Sequence, residues 1–451
     1  MFVLDQIVKA YDIRGTVPDQ LDADVARALG VGFARFADAP RVLVARDMRP
    51  TGPELAAAFV EGVTSQGVDV VDLGLGSTDL LYYASGSFDA PGAMFTASHN
   101  PAQYNGIKLC HRGARPIGID SGLARIRETA ADLLAGGPLR ASAAPGQVTT
   151  RDVLDAFVEH VLSFVDLAAF RPIRVVADTA NGMGGLVVPA VFERIPSVEL
   201  EVMYGELDGT FPNHPADPLQ PANQRDLQAR VLSGGFDVGL AFDGDADRVF
   251  VVDEAGHGLS GSTTTAILAA AVLRTSPGAT VLHNLICSRA VSETIREHGG
   301  VPVRTKVGHS FIKEVMAQTG AVFGGEHSAH YYFARNYRAD SGMIASLLVL
   351  DEISRSGQGL SVLRKPFERY ASSGEINTHV DDARAVIDEI SRAFDGRPQD
   401  RLDGLTVDCG SWWFNLRPSN TEPLLRLNLE AATRDQCDEN VAELLALITR
   451  S

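Results

Sequence analysis

The sequence contains few cysteines, and their arrangement is not typical of a cross-linked or zinc-bound protein. The four cysteines, Cys110, Cys287, Cys409 and Cys437, lie far apart and form no Cys-x-x-Cys pair. This spacing argues against a disulfide framework and against a structural zinc site. We therefore expect four ordinary thiols, buried or half-buried in the fold.

Long hydrophobic runs and an apolar leader are missing as well. The longest apolar stretch, around residues 266–273, is too short to cross a bilayer. The first thirty residues are rich in charged side chains and leave no place for the apolar segment of a signal peptide. The sequence thus predicts a soluble, cytoplasmic protein.

Positive charge is in the minority, since 40 Lys and Arg residues stand against 57 Asp and Glu residues and give a net charge of −17. An acidic surface repels nucleic acids and anionic membranes, so we expect neither as a partner. A phosphorylated small molecule would need a local group of Arg, Lys and His side chains that overrides the overall charge. Cations in glycine-rich loops are the candidates for such binding.

Three segments, starting at Arg41, Ile173 and Ala279, repeat one pattern. Each has a β-branched run, a polar or glycine-containing loop, a helix-like stretch and a second apolar run that ends near a glycine. The pattern predicts a strand, a helix and a parallel strand joined by a right-handed crossover. We therefore expect three similar α/β domains with mixed, mainly parallel sheets.

The chain length of 451 residues, of which 45% are hydrophobic, suits three or four domains. Small residues, glycine and proline between positions 133 and 150 indicate a linker, and composition changes again near positions 253 and 367. After the last change, the pattern predicts a smaller α+β domain. The predicted domains, arranged around a central cleft, are residues 1–145, 146–253, 254–367 and 368–451.

The segment FDGDADR, at positions 242–248, lies between two apolar runs. It places Asp243, Asp245 and Asp247 on one short turn, where two carboxylates about 5 Å apart repel by ~3 kcal/mol at an effective dielectric constant near 20. A hard divalent cation, Mg²⁺ before Ca²⁺, would remove this repulsion. A solvated acidic turn is the alternative. A calcium-binding EF-hand loop fits poorly, because its sixth position needs glycine and is Arg248 here.

The segment AMFTASHNP, at positions 93–101, is an apolar run that breaks into a polar turn. Asn100 before Pro101 disfavours a helix, so we expect the hydroxyl of Ser98 to be exposed at the tip of the turn. A plain turn and a Ser-His-Asp hydrolase are alternatives. His99 is poorly placed as the base for Ser98 because neighbours on an extended chain point to opposite faces. A serine that carries a phosphoryl group beside the three aspartates would use both turns.

The segments TASHNP, DGDADR, GEHS and RPSNTEP occur in this order and resemble the four signature loops of the α-D-phosphohexomutase family. The match runs from YDIRG at Tyr11 to Pro423, with each loop in a different predicted domain. The resemblance implies three similar α/β domains and a smaller fourth one. It also implies a Mg²⁺-dependent enzyme that moves a phosphoryl group between C1 and C6 of a hexose.

The resemblance assigns roles to the first two loops. It makes Ser98 the phosphoserine and catalytic centre, and it makes Asp243, Asp245 and Asp247 the Mg²⁺ ligands together with the phosphate on Ser98. Arg248, beside the metal, would stabilise the transferring group. The ion would neutralise phosphate charge and organise in-line transfer.

The other two loops would bind the substrate. Glu326 and Ser328 match the sugar-recognition loop, and His330 adds a polar group; a polar surface turn is the alternative. The last loop offers a guanidinium and short donors that suit the phosphate not being transferred, although a capped turn is equally compatible with the residues alone. Its candidate residues are Arg417, Ser419, Asn420 and Thr421.

Basic residues complete the candidate site. Arg14, Lys108, Lys306 and His309 resemble the basic active-site residues of the family, and His99 is included because of its place beside Ser98. We expect Lys108 or His309 to act as general acid and base on the reacting hydroxyl. A structural or solvated role is the alternative for any single Lys or His.

The resemblance is closest to the bacterial phosphomannomutase and phosphoglucomutase branch. The expected reaction interconverts mannose 6-phosphate and mannose 1-phosphate, with glucose phosphates as further substrates, through a hexose 1,6-bisphosphate intermediate. A phosphoglucosamine mutase, a Mg²⁺-dependent sugar phosphatase and a silent sugar-phosphate-binding protein are alternatives. We expect a monomer or homodimer whose fourth domain closes over the cleft by a hinge near residue 367.

Overall fold

The computed structural model describes residues 3–418 and 424–449, without the side chains of Val3 and His309. Four sheets follow one another along the described chain, and each has its own helices. Short 3-10 turns connect some of these elements, at Arg112–Ala114, Ile119–Ser121, Leu167–Ala169, Pro221–Gln224, Ala334–Asn336 and Lys365–Phe367. The expected fold class of three α/β domains and a smaller C-terminal domain is confirmed.

The first domain contains a mixed sheet in the order β1-β5-β4-β2-β3-β7, with β6 beside β5. Its strands are β1 (Ile13–Thr16), β2 (Arg41–Arg46), β3 (Asp69–Leu75), β4 (Gly92–Phe95), β5 (Tyr104–His111), β6 (Arg115–Pro116) and β7 (Val148–Thr150). Its helices are α1 (Val3–Ile7), α2 (Ala23–Ala37), α3 (Gly52–Thr64), α4 (Thr78–Ser87) and α5 (Leu123–Leu134). Strand β7 pairs with β3 although it lies beyond residue 145, so the linker contributes an edge strand to the first sheet.

The second domain contains a four-stranded sheet in the order β11-β10-β8-β9. Its strands are β8 (Ile173–Asp178), β9 (Val198–Met203), β10 (Val238–Phe242) and β11 (Val249–Asp253), and its helices are α6 (Leu154–Leu162), α7 (Gly184–Phe192) and α8 (Arg225–Gly234). Strands β8, β9 and β10 are parallel, whereas β11 returns antiparallel to β10.

The third domain repeats this arrangement in the order β13-β12-β14-β15. Its strands are β12 (Thr280–Asn284), β13 (Val301–Thr305), β14 (Phe323–Gly325) and β15 (Tyr331–Phe333). Its helices are α9 (Gly261–Thr275), α10 (Arg289–Glu297), α11 (His309–Thr319), α12 (Gly342–Ser356) and α13 (Leu360–Leu363). Strands β12, β13 and β14 are parallel, and β15 is antiparallel to β14.

The fourth domain contains an antiparallel sheet in the order β16-β20-β19-β18-β17. Its strands are β16 (Ala371–His379), β17 (Gln399–Asp400), β18 (Leu405–Asp408), β19 (Trp412–Pro418) and β20 (Leu424–Ala431), and its helices are α14 (Ala383–Ala393) and α15 (Arg434–Ile448). It is the α+β unit expected after the change in composition near residue 367.

The three repeated sequence units form the strand, helix and parallel strand that their pattern predicts. They are β2-α3-β3, β8-α7-β9 and β12-α10-β13, and the two strands of each unit pair in parallel. Buried β-branched residues favour these strands, and a crossover helix is the usual connection between parallel neighbours. The internal repeat is therefore a repeat of structure.

Three of the four signature loops occupy equivalent places in the three sheets. They follow β4, β10 and β14, and in each case the strand is parallel to the first strand of the repeated unit. The next strand, β5, β11 or β15, then returns antiparallel. Each turn therefore lies beyond the carboxyl end of a parallel strand, the position at which ligands bind in open α/β sheets.

The buried side chains form one hydrophobic core that spans several domains and another that is confined to one domain. One continuous core contains Leu43 of β2, Val175 of β8 and Val281 of β12, and therefore joins the first three domains. A separate core, which includes Phe414 and Leu427, belongs to the fourth domain. The first three domains thus pack as one body.

Two of the exclusions made from composition can be compared with the structure. Cys110, Cys287 and Cys437 are buried and Cys409 is half-buried, and all four are free thiols, as expected. Across residues 3–418 and 424–449, no helix combines the length and the apolar character that crossing a bilayer requires.

Candidate active site and metal centre

Ser98 lies in the loop after β4, in a left-handed conformation with φ of 49°. Its residue is only 4% exposed, and its Oγ donates a hydrogen bond of 2.8 Å to Oδ2 of Asp243. The expectation of a hydroxyl exposed at the tip of a turn is wrong, because the acidic loop of the second domain packs onto it. Gly244 permits this approach, since a Cβ there would lie 2.4 Å from the Ser98 carbonyl oxygen.

His99 also differs from the expectation that it points away from Ser98. The left-handed backbone of Ser98 turns the chain, so Nδ1 of His99 lies 3.3 Å from the serine Oγ. The same Nδ1 accepts a hydrogen bond of 2.6 Å from Nη2 of Arg248. Burial, helped by the charge of Arg248, lowers the pKa of His99 well below its usual value. An imidazole whose Nδ1 lone pair already accepts from a guanidinium is a poor base for Ser98, which disfavours the hydrolase alternative.

Asp243, Asp245 and Asp247 form a compact buried cluster in the turn between β10 and β11. Each offers an oxygen within 4.8 Å of the others. The Oδ1 atoms of Asp245 and Asp247 are buried, and neither has a hydrogen-bond partner among the described residues. Leaving such oxygens unsatisfied is costly, and an oxygen-only donor set suits a hard divalent cation. The residues present therefore fit a divalent metal site of the kind their sequence predicts.

Two cations neutralise this cluster within the protein. Nζ of Lys108 lies 2.6 Å from Oδ2 of Asp245 and 2.7 Å from Oδ2 of Asp247, and Arg248 lies 2.9 Å from Oδ2 of Asp243. Burial lowers the pKa of Lys108, but the two carboxylates outweigh burial and raise it well above its usual value. Lys108 is therefore a fixed positive charge in this arrangement.

Arg14, on β1, reaches the serine loop, which is the segment of residues 96–103 between β4 and β5. Its guanidinium donates to the side-chain oxygen of Asn100 in that loop, and its other amino group lies 2.6 Å from Oδ2 of Asp12. The structure therefore brings Arg14, Lys108, Arg248 and Ser98 to one place. Several positive groups around one hydroxyl suit a phosphoryl group on its oxygen.

The sugar-recognition candidates lie in the turn between β14 and β15. The carboxylate of Glu326 is buried and accepts hydrogen bonds from the Gly308 amide, at 3.1 Å, and from the Tyr332 hydroxyl, at 2.8 Å. Ser328 Oγ lies 3.3 Å from Nδ1 of His330. Nε2 of His330 lies 3.7 Å from Oδ1 of Asp247, so this turn extends to the acidic cluster.

A cavity of about 460 Å³ opens between the first, third and fourth domains. Its lining includes the cations Lys306, Arg384, Arg401 and Arg417, together with Tyr11 of the YDIRG segment. Such a group of cations in a chain of net charge −17 attracts an anion locally. Lys306 and Arg417, which are distant in sequence, thus share one cavity, as the binding of a phosphate would require.

The phosphate-loop candidates are described in part. Arg417 is the penultimate residue of β19 and lies 2.7 Å from Glu375, which also pairs with Arg426 at 3.3 Å. The three other candidates, Ser419, Asn420 and Thr421, lie outside the described residues. The side chain of His309, at the start of α11, is not described either.

Two residues at the site were missed from the sequence. Thr78, at the start of α4, donates from Oγ1 to Oδ2 of Asp245 at 2.6 Å and from its amide to the Asp245 carbonyl at 3.0 Å. Arg49, after β2, donates to the carbonyls of the Ser98 loop. The available signals were a helix-capping pattern before α4 and a polar end to β2, and neither indicates a partner in another loop.

Sequence models of the phosphoglucomutase/phosphomannomutase domains match the chain in order. Alpha/beta/alpha domain I matches residues 5–133, domain II residues 155–258, domain III residues 260–370 and the C-terminal domain residues 375–447. The chain belongs to the phosphoglucomutase/phosphomannomutase family. The family resemblance inferred from four short loops is thereby confirmed.

Relatives within the phosphoglucomutase/phosphomannomutase family match almost the full chain. A protein of Xanthomonas campestris pv. campestris named "Phosphohexose mutases" is 41% identical over 97% of this chain and 98% of its own length. A phosphomannomutase of Salmonella montevideo is 38% identical over 94% of both chains. A crystal structure of a family protein from Burkholderia thailandensis has a TM-score of 0.87 at 32% identity and covers 98% of this chain and 97% of its own.

Proposed function

We propose that this phosphohexomutase interconverts mannose 6-phosphate and mannose 1-phosphate, with glucose 6-phosphate and glucose 1-phosphate as secondary substrates. Support comes from relatives named phosphomannomutase that are 36% to 38% identical over 94% of the chain. The observation that carries the proposal is the 2.8 Å contact between Ser98 Oγ and Asp243, inside a cluster of three buried carboxylates.

Ser98 is the phosphoryl carrier in this proposal. Phospho-Ser98 transfers its phosphoryl group to a hydroxyl of the hexose monophosphate, so the bond from phosphorus to Oγ breaks and a hexose 1,6-bisphosphate forms. The bisphosphate then reorients, the bond from its other phosphorus to the sugar oxygen breaks, and this phosphoryl group forms a new bond to Oγ, which leaves the isomeric hexose monophosphate. Arg248, Arg14 and Lys108 hold the oxygens of the transferring group. Nη2 of Arg248 lies 3.5 Å from Oγ, Arg14 bonds to Asn100 of the same loop, and Lys108 bonds to the acidic cluster that Oγ contacts.

Asp243, Asp245 and Asp247 would hold Mg²⁺, together with an oxygen of the phosphate on Ser98. The bound ion supplies charge neutralisation for the phosphoryl oxygens during transfer. The Oδ1 atoms of Asp245 and Asp247, which have no hydrogen-bond partner among the described residues, are the ligand atoms that support this assignment.

Proton transfer on the reacting hydroxyl needs a group that releases and accepts a proton readily. Of the two candidates, Lys108 keeps its proton because Asp245 and Asp247 lie within 2.7 Å of its ammonium. We therefore assign the proton transfer to His309, which starts α11 beside Gly308.

Glu326 and Ser328 bind sugar hydroxyls in this proposal, with His330 beside them. Lys306 and Arg417, aided by Ser419, Asn420 and Thr421, hold the phosphate that is not transferred. The cavity shared by Lys306 and Arg417 supports a common anion. Closure of the fourth domain excludes water, which would otherwise hydrolyse phospho-Ser98.

Intact-mass measurement with a mutase assay tests the carrier. We expect a species ~80 Da heavier in the wild type and in Ser354→Ala, and no such species in Ser98→Ala, which loses mutase activity. Ser354 is the matched control because, among the described residues, its hydroxyl bonds only to the Leu350 carbonyl within α12. An active Ser98→Ala variant would refute the proposal.

The ratio kcat/KM for mannose, glucose and glucosamine phosphates tests the substrate. We expect mannose phosphates to lead and glucose phosphates to follow. A dominant preference for glucosamine 1-phosphate would identify a phosphoglucosamine mutase instead. Release of inorganic phosphate faster than formation of the isomer would identify a phosphatase.

A further inference from the structure

Arg49 lies in the loop after β2, and its side chain is fully buried. Its guanidinium donates to three carbonyl oxygens of the serine loop and to that of the first residue of β5. Nη2 donates to Ser98 at 2.9 Å and Asn100 at 2.6 Å, and Nη1 donates to Pro101 at 2.9 Å and Tyr104 at 2.8 Å. A buried arginine is rare because removing its charge from water is costly. The hydrogen bonds from its N–H groups to these carbonyls offset the cost of burying the charge of Arg49 beside an irregular loop.

Asp47 completes the coordination of this guanidinium. Its Oδ2 accepts from Nε of Arg49 at 3.2 Å, and its Oδ1 accepts from the Arg49 amide at 3.0 Å. The amide of Asp47 itself bonds to the carbonyl of Phe95, the last residue of β4. The pair is therefore fixed to the strand from which the serine loop starts.

The second domain covers Arg49 from the other side. The ring of Phe211 lies 5.2 Å from its Cζ, within the range of a cation–π contact. Gly209 packs so closely that a Cβ there would lie 2.6 Å from the Cα of Arg49. The guanidinium is thus enclosed between the serine loop and the domain that carries the acidic cluster.

The serine loop depends on such support because of its backbone. Ser98 has a φ of 49°, a conformation that is unfavourable for a residue with a Cβ and persists only when the surroundings impose it. Buried carbonyls also need donors, and Arg49 supplies them to the carbonyls of Ser98, Asn100 and Pro101 in this loop between β4 and β5. Only a guanidinium presents five N–H groups in one plane, so lysine cannot reproduce the arrangement.

We propose that Arg49 is a positioning residue for phosphoryl transfer. It holds the carbonyls of residues 98–104 inward, so that Ser98 Oγ faces Asp243 both before and after transfer. This inference rests on the proposed function, because it concerns the placement of the phosphoryl carrier. Among the described residues, Arg49 forms no hydrogen bond or ion pair with the Ser98 hydroxyl or with the acidic cluster.

Arg49→Lys is the test, with Arg364→Lys as the matched control. Arg364 is also largely buried, and it binds Asp253 at 2.7 Å and the carbonyls of His257 at 3.2 Å and Gly258 at 3.0 Å, away from the serine loop. We expect kcat of Arg49→Lys to fall by about 100-fold with KM nearly unchanged, since a shift of about 1 Å costs that much. Arg364→Lys should keep kcat, even where its Tm falls equally.

Hydrogen exchange supplies a second readout that does not depend on activity. The backbone amides of residues 96–100 and 102–104 should exchange faster in Arg49→Lys than in the wild type, and their exchange should be unchanged in Arg364→Lys. Unchanged exchange, or faster exchange with full kcat, overturns the inference. If Arg49→Lys does not fold, Phe211→Leu is tested instead, because it removes only the aromatic ring that covers the Arg49 guanidinium. We expect kcat of this variant to fall about tenfold, and an unchanged kcat overturns the inference.

The same assays separate this inference from the proposed function. A wild type that forms no mannose phosphate isomer refutes the proposed function and this inference together. An active wild type with a fully active Arg49→Lys overturns only the role of Arg49.

Discussion

Single residues around Ser98 carry charges that balance each other inside a buried site. Arg248 pairs with Asp243, and Lys108 pairs with Asp245 and Asp247. A buried charge that loses its partner costs about 3–5 kcal/mol. Substitution of Lys108 or Arg248 therefore lowers stability as well as transfer, and each variant needs a folding measurement beside its activity.

Thr78 orients one of the acidic side chains. Its hydroxyl donates to Oδ2 of Asp245, which leaves Oδ1 of Asp245 for a metal ion. We expect Thr78→Val to weaken the binding of Mg²⁺ or Mn²⁺ by about tenfold, because groups that orient a ligand contribute this much to affinity. Isothermal titration with each metal measures the effect without an activity assay.

Thr129→Val is the matched control for Thr78→Val. The Thr129 hydroxyl bonds to the Arg125 carbonyl within α5, in an exposed hydrogen bond, so metal affinity should remain that of the wild type. Equal affinity of Thr78→Val and the wild type would contradict the orienting role.

Two helices of different domains meet at their first turns. The Ser341 hydroxyl before α12 donates 2.6 Å to Oδ2 of Asp79 in α4, and the Ser77 hydroxyl donates to the other oxygen. Asp79 is fully buried. Burial raises its pKa to about 7, although the two hydroxyl bonds oppose the rise. This contact joins the first domain to the third through a carboxyl group.

The pKa of Asp79 makes stability depend on pH. Between its unfolded value of 3.8 and about 7, the folded state holds a proton that the unfolded state has lost, so stability falls as pH rises through this range. Between pH 5 and 8, we expect the Tm of the wild type to fall by about 2–4 °C more than that of Asp79→Asn. Asp395→Asn, at an exposed position, should follow the wild type, and parallel curves for Asp79→Asn would contradict the prediction.

Elements with local patterns could be predicted, whereas irregular turns could not. The repeated units needed only β-branched runs and helix-like stretches, and each forms the predicted strand, helix and parallel strand. The predicted orientation of His99 was wrong because it depends on the left-handed conformation of Ser98, and no sequence periodicity indicates that conformation. Strand β7 pairs only at a sheet edge, which a linker-like composition does not predict.

The whole molecule consists of a three-domain body and a fourth domain with its own core. Polar contacts connect the fourth domain to the third, among them Arg289 with Asp408 and Arg304 with Asp400. Exposed ion pairs contribute little free energy and are weakened by salt. Such an interface permits the fourth domain to move.

The position of the hinge that the sequence predicts near residue 367 can be narrowed by the contacts on either side of it. Arg369 pairs with Glu297 of the third domain, whereas Ala371 already pairs with β20 of the fourth. We therefore expect the pivot between Tyr370 and Ala371. On adding mannose 1-phosphate with Mg²⁺, the radius of gyration from solution scattering should fall toward the about 22 Å of a compact chain of this length.

Unphosphorylated mannose is the control for this closure, because it lacks the group that the fourth domain would bind. It should leave the radius of gyration unchanged. An equal lack of compaction with mannose 1-phosphate would argue against the hinge.

The sequence by itself determined the family, the repeated α/β units and the position of three aspartates on one turn, because these features depend on short motifs and local periodicity. Only the tertiary structure decided that Ser98 is buried against Asp243, 145 positions away, and that Thr78 orients Asp245, 167 positions away. It also decided that Arg49 supports the serine loop. Contacts between loops of different domains depend on how the domains pack against each other. Local residue patterns do not predict that packing, because it involves residues that are distant in sequence.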